Sequence, residues 1–188
     1  MTLSTLARNW WMIAIRGNLA MVFGITLLVW PNITLPTVVV LFAAYAIVDG
    51  SWAVASTIAL ARRFVVVPLL LEGVASVAFG VIALSSPLVS RDFIRLVAGW
   101  GVITGLFELV AAGGLPRETN AHWLWGTAGM FSLFLAILIQ LVPDAELARY
   151  VYVIGMYAVV FGLVVVGAAY RFRVEHRKAV GRLSPALR

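Results

Sequence analysis

Long apolar stretches alternate with short polar breaks along this chain. Six of the stretches predict helices, over residues 10–30, 35–60, 64–86, 93–115, 122–142 and 148–172. Each is close to the roughly 20 apolar residues a helix needs to cross a bilayer. The breaks have local causes: Pro31 and Pro36; Arg62 and Arg63; Pro87, Ser90, Arg91 and Asp92; Pro116, Arg117 and Glu118; Pro143 and Asp144. Short connections make sequential helices antiparallel neighbours.

The pattern recurs. Pro31, Pro87 and Pro143 stand 56 residues apart, and each closes a similar apolar block: RGNLAMVFGITLLVWP, EGVASVAFGVIALSSP and AGMFSLFLAILIQLVP. A glycine precedes each proline by the same interval: Gly17, Gly73 and Gly129. One unit is written three times, and such a period decides the architecture before any local reading. Each unit is a two-helix hairpin. An even number of crossings returns the chain to the same side, so the three copies share one orientation about an axis along the membrane normal. The expected fold is all-α: a six-helix transmembrane domain over residues 1–172 with pseudo-threefold symmetry. Its repeats run over about 8–63, 64–119 and 120–172, followed by a basic tail over 173–188.

Composition places this bundle in lipid. The chain has 188 residues, of which 63% are hydrophobic and 12% charged, and its mean hydropathy is +1.02. Soluble domains carry about 25% charged residues, so these charges cannot cover a water-soluble globule. The absence of cysteine excludes disulfides, thiolate metal sites and thiol nucleophiles. The apolar run from Trp10 to Trp30 exceeds a signal-peptide core, which spans about 7–15 residues.

The net charge of +6 reads as a topology signal and needs no nucleic-acid partner. Arg8, Arg62, Arg63, Arg117 and the tail residues Arg171, Arg173, Arg177, Lys178, Arg182 and Arg188 fall on the side of both termini. Only Arg91, Arg95 and Arg149 fall opposite. Both termini are therefore expected in the cytoplasm. Trp10, Trp11, Trp123 and Trp125 are expected at the cytoplasmic interface and Trp30 at the outer one, whereas Trp52 and Trp100 read as packing residues.

Helices in lipid associate through close packing, because lipid tails are as apolar as leucine. The odd-numbered spans carry small residues on one face: Gly17, Ala20, Gly24; Gly73, Ser76, Gly80; Gly129, Ser132, Ala136. The even spans carry an aromatic at matching places (Tyr45, Trp100, Tyr157) and a glycine further on (Gly50, Gly105, Gly162). These glycines read as packing positions. Three hairpins would not bury all such grooves internally, which makes a homo-oligomer or another membrane protein a natural partner besides membrane lipids.

Four ionisable residues fall inside the spans: Arg16, Asp49, Glu72 and Glu108. Each is expensive in hydrocarbon and needs a reason. Arg16 and Glu72 occupy equivalent repeat positions, where the third copy has Ala128; Asp49 aligns with Thr104 and Phe161. A polar cluster is therefore expected from repeats one and two, with Arg16 tied to Asp49 and Glu72 close by. One arginine cannot neutralise three carboxylates. At least one must be protonated, water-exposed or paired across a subunit. The first reading is a structural knot; a proton-responsive or ion-conducting site is the alternative.

Other chemistry is thin. His122 opens the fifth span and His176 lies in the tail, too few for a histidine metal site. No phosphate-cradling Gly-Lys loop, HExxH or Ser-His-Asp spacing occurs. No catalytic residue, cofactor or metal is expected, and the chain is not read as an enzyme. The tail is expected to continue the last helix and leave it near Gly181 and Pro185.

The segment LARNWWMIAIRGNLAMVFGITLLVWPNITL, followed by VVVLFAAYAIVDG, resembles the HdeD-type acid-resistance membrane proteins. The likeness lies in Arg16-Gly17, Phe23-Gly24, Trp30-Pro31 and Asp49-Gly50. The second copy keeps Gly73, Phe79-Gly80, Pro87 and Gly105. The third keeps Gly129, Pro143 and Gly162 and departs at Leu135, Ala136 and Phe161. The resemblance implies six spans, a bacterial inner membrane and a role in surviving acid stress, with no catalytic residues. The functional expectation is a non-enzymatic membrane protein that serves acid or stress resistance or stabilises a membrane assembly. A small proton- or ion-responsive channel or transporter is the alternative.

Overall fold

A computed structural model describes residues 10–30, 32–58, 63–115, 121–141 and 146–183. Six helices follow the apolar blocks: α1 Trp10–Val29, α2 Leu35–Ile58, α3 Arg63–Ser85, α4 Ser90–Gly113, α5 Ala121–Gln140 and α6 Leu147–Leu183. No strand occurs among the described residues. All six are long and apolar enough to cross a membrane. The protein is therefore an all-α, multi-pass bundle of three hairpins.

Helix ends follow local chemistry. After α1, Asn32 adopts φ 58°, the left-handed conformation that asparagine tolerates at a helix C-terminus. In α2, Pro36 sits in the first turn, where its missing N–H costs nothing, and Val38 N–H donates to the Thr34 carbonyl at 3.0 Å. α4 starts at Ser90, before the expected residue 93, because the Phe93 N–H reaches back to the Val89 carbonyl at 3.0 Å. Pro68 lies within the second turn of α3, and the helix continues through it. α6 runs on to Leu183, so the basic segment continues the last helix, as expected. Pro31, Arg8, Arg62, Pro116, Arg117, Glu118, Pro143, Asp144, Pro185 and Arg188 lie outside the described residues, as do the side chains of Arg63, His176, Arg177, Lys178 and Arg182.

The tightest helix pairs are α1 with α6, α2 with α3, and α4 with α5. Each pair joins two different copies of the repeat, and α1 with α6 closes the ring. The two helices of one copy touch far less in the first and third copies, α1 with α2 and α5 with α6, and α3 with α4 are intermediate. The cause lies in the glycines. A Cβ on Gly50 would sit 2.5 Å from the Gly73 carbonyl oxygen, and one on Gly73 would sit 2.6 Å from that of Gly50. Gly105 and Gly129 face each other in the same way, at 2.8 and 2.6 Å, as do Gly17 and Gly162, at 2.9 and 2.6 Å. Gly24 meets Gly155 and Ala158, and Gly80 meets Ala43 and Ile47. Three equivalent seams thus bring backbones together as small-residue faces permit in lipid. Among the described residues, the glycine faces of these seams pack against helices of the same chain.

Two apolar layers occupy the axis. At the end away from Trp10, Phe23, Leu27, Val38, Phe42, Phe93, Trp100, Leu135 and Ile154 form the largest cluster. Phe42 meets Phe93 and Trp100 edge-on, with ring centroids 5.6 Å apart in both pairs. At the opposite end Val65, Leu69, Ala111, Leu115, Leu124 and Phe172 pack together, flanked by Trp10, Ile13 and Trp125.

A charged layer at the bundle axis

Between the apolar layers every helix contributes one polar side chain: Arg16 from α1, Asp49 from α2, Glu72 from α3, Glu108 from α4, Ser132 from α5 and Tyr157 from α6. Glu72 lies nine residues into α3, roughly 14 Å along it at about 1.5 Å per residue.

Arg16 is the hub. Its Nε donates to Asp49 Oδ1 at 2.8 Å and its Nη2 to Asp49 Oδ2 at 3.2 Å. The same Nη2 donates to Glu72 Oε1 at 2.8 Å and lies 2.9 Å from Glu108 Oε1. The planar fork thus binds Asp49 with two parallel bonds, the geometry in which arginine exceeds lysine. The carboxylates are sealed: their side chains are at most 1% exposed and that of Arg16 is 12% exposed. Burying these charges separately would cost several kcal/mol each, and close pairing offsets part of that cost.

Of the four residues singled out in the sequence, the three acids therefore all meet at Arg16. The expectation that repeats one and two supply the whole cluster needs correction, because the third copy takes part. Ser132 Oγ is 3.4 Å from Glu108 Oε2 and 3.4 Å from the Tyr157 hydroxyl, and lies 3.2 Å from the Ala128 carbonyl. The Trp125 ring stands 5.6 Å from the Arg16 guanidinium carbon, within cation–π range. Trp125, expected at the interface, points inward with the apolar cluster near Trp10. Ser132 belonged to the small-residue pattern and Tyr157 to the aromatic pattern. Their polar atoms gave no signal of their own, since partner and depth are set by helix rotation.

The third copy also completes the layer sterically. Ala128 and Phe161 take the places held by Arg16 and Asp49 in the first copy, and they pack with Ala20 and Val165. Apolar bulk thus fills the sector where the other copies carry charge. Above the layer, Tyr45 stacks on Phe23 at 4.8 Å and meets Trp100 at 6.0 Å, while the Trp100 indole N–H donates to Ser76 Oγ at 2.9 Å. Trp52 donates to the Met12 carbonyl at 3.1 Å, tying α2 to α1. Arg173, in the basic segment, lies over Trp10 at 4.7 Å. His122 packs against Trp123 with ring centroids 5.3 Å apart.

No group of three or more metal-ligating side chains with the geometry for a metal ion occurs among the described residues. The layer can hold charge, hydrogen bonds and protons.

Comparisons with curated proteins and with solved structures returned no match. A family profile, described as a short repeat of unknown function (DUF308), matches three times, over residues 15–85, 71–140 and 127–184. The successive matches begin at the 56-residue spacing of the repeat, so the profile and the internal symmetry describe the same unit. The chain thus belongs to the DUF308 short-repeat family and carries three copies of its unit.

Proposed function

We propose that this protein is a non-enzymatic, HdeD-type protein of a bacterial inner membrane. In this reading both termini are cytoplasmic, and it acts in acid or stress resistance by stabilising the membrane or an assembly within it. The observation that carries this reading is the position of Arg16. It ties α1, α2, α3 and α4 together on the axis, between two apolar layers. A charged group in that place serves cohesion; substrate chemistry would need an approach from outside. Membrane lipids are the surrounding partners, with a homo-oligomer or another membrane protein as the assembly stabilised. Nucleic acid has no place in it.

The test is survival of a deletion strain after acid challenge, complemented by the wild-type chain or by Gly50→Val at matched expression. Restoration by wild type alone supports the proposal. Unchanged survival on deletion overturns the acid role. Reporter fusions at each terminus test the orientation.

The buried acids on the axis favour a second reading, a small proton- or ion-responsive channel or transporter. Phe42, Phe93 and Trp100 close the axis on one side of the charges, which argues for a sealed resting state. Proton flux into proteoliposomes decides between the two. Flux through wild type that disappears in Asp49→Asn would establish the second reading; no flux in either leaves the first.

A further inference from the structure

Three acids face one base in the central layer, which leaves two negative charges in excess if all ionise. Such an excess could be relieved by exposure to water, by a cation from a neighbouring subunit, or by protons. The first route is closed, because Glu72 and Glu108 are 0% exposed. The second is closed by position: both side chains point to the axis of a ring completed within one chain. Every salt bridge of Asp49, Glu72 and Glu108 among the described residues runs to Arg16.

Donor counting leads to the same place. Nη2 of arginine carries two hydrogens. One is directed at Asp49 Oδ2 and the other at Glu72 Oε1. None remains for Glu108 Oε1, which sits 2.9 Å from that nitrogen without a hydrogen bond. Glu72 Oε2 also has no protein donor. Ser132 has one hydroxyl hydrogen and three oxygen neighbours, including the Ala128 carbonyl, so it does not fully satisfy Glu108. Three buried carboxyl groups therefore crowd one nitrogen, and two of them, Glu72 and Glu108, each keep an oxygen without a donor.

We propose that the Glu72–Glu108 pair is a proton-binding site that holds one dissociable proton at neutral pH. The proton forms an O–H bond on one carboxyl group of the pair and brings the layer to a single excess charge. Because the two groups are coupled through Nη2, the proton belongs to the pair and not to either residue. The other groups around the pair are Arg16 from α1, Asp49 and Tyr45 from α2, and Tyr157 from α6. α5 contributes Ser132, which does not titrate in this range. Arg16 remains charged throughout, so the pair is the part of the layer that exchanges protons.

Infrared spectroscopy of the full chain in lipid at neutral pH tests this. The carbonyl stretch of an un-ionised carboxylic acid lies apart from that of a carboxylate. The expected result is one such band in wild type, shifted by deuterium exchange and lost in Glu72→Gln with Glu108→Gln. The same band should persist in Glu146→Gln, an exposed control. Absence of the band in wild type overturns the proposal whether or not any variant folds. So does a band that survives in the double variant. A melting temperature that rises with sodium at fixed ionic strength, with no acid band, assigns the compensating charge to a cation and overturns it too.

Discussion

Arg16 and Glu72 occupy the same position in successive copies of one repeat, carry opposite charge and meet at 2.8 Å on the bundle axis. The symmetry of the repeat is broken at this position, and the break produces an ion pair. Three identical arginines there would repel, and three alanines like Ala128 would leave Asp49 unpaired.

A charge exchange tests this relationship. Arg16→Glu alone leaves a layer of acids without a base. Removing one partner of a buried pair typically costs about 3–5 kcal/mol. The double variant Arg16→Glu with Glu72→Arg places the base at the equivalent site. It should recover a substantial part of that loss, measured as thermal melting in lipid nanodiscs through a double-mutant cycle. Additive losses would mean that the two positions are not energetically coupled.

The glycine seams should be intolerant of side chains in proportion to contact. Gly50→Ala drives a methyl group against the Gly73 carbonyl and Ser76 Cβ, with backbone on both sides. Overpacking of this kind costs roughly 1–3 kcal/mol. Gly113→Ala meets nothing within 4 Å and should be neutral or gain up to about 1 kcal/mol of helix propensity. The difference between the two melting temperatures is the measurement.

Ser132→Ala and Tyr157→Phe should each cost little, about 0.6 kcal/mol, the average for a side-chain hydrogen bond between membrane helices. Their contact is shared, so the double variant should lose less than the sum. A loss of several kcal/mol from either would mean that the third copy supports the charges more strongly than its 3.4 Å contacts indicate.

The aromatic layer should dominate packing stability. Phe93 is fully buried and meets Phe42 edge-on. Phe93→Ala should cost roughly 3–5 kcal/mol, whereas Trp123→Ala, at a residue 67% exposed, should change melting far less. In proteoliposomes proton leak should stay at background for wild type and rise in Phe93→Ala if this layer is the seal.

Much of the fold was legible before any coordinates. Hydropathy is a local property, and lipid admits helices only as closed hydrogen-bonded units. The spans therefore fell within a few residues of α1 to α5. The repeat fixed the parity of the crossings and the shared direction of the copies. The beginning of α4 was less legible: Ser90 is polar, so hydropathy places it outside a span, whereas the continuation of α6 into the basic segment was expected. The orientation of Trp125 toward Arg16 was not legible, because an aromatic near a span end reads as an interfacial anchor whichever way it faces.

The sequence by itself determined that the chain crosses a membrane six times as three like-oriented hairpins, and that four charges lie inside them. Period and hydropathy act along one helix, so one helix at a time suffices to read them. Tertiary structure alone decided that glycine joins helices of different copies, that Arg16 reaches three acids, and that Ser132 and Tyr157 complete the layer. Those contacts depend on how six helices rotate about their own axes when the ring closes, a relation between helices that no single apolar stretch encodes.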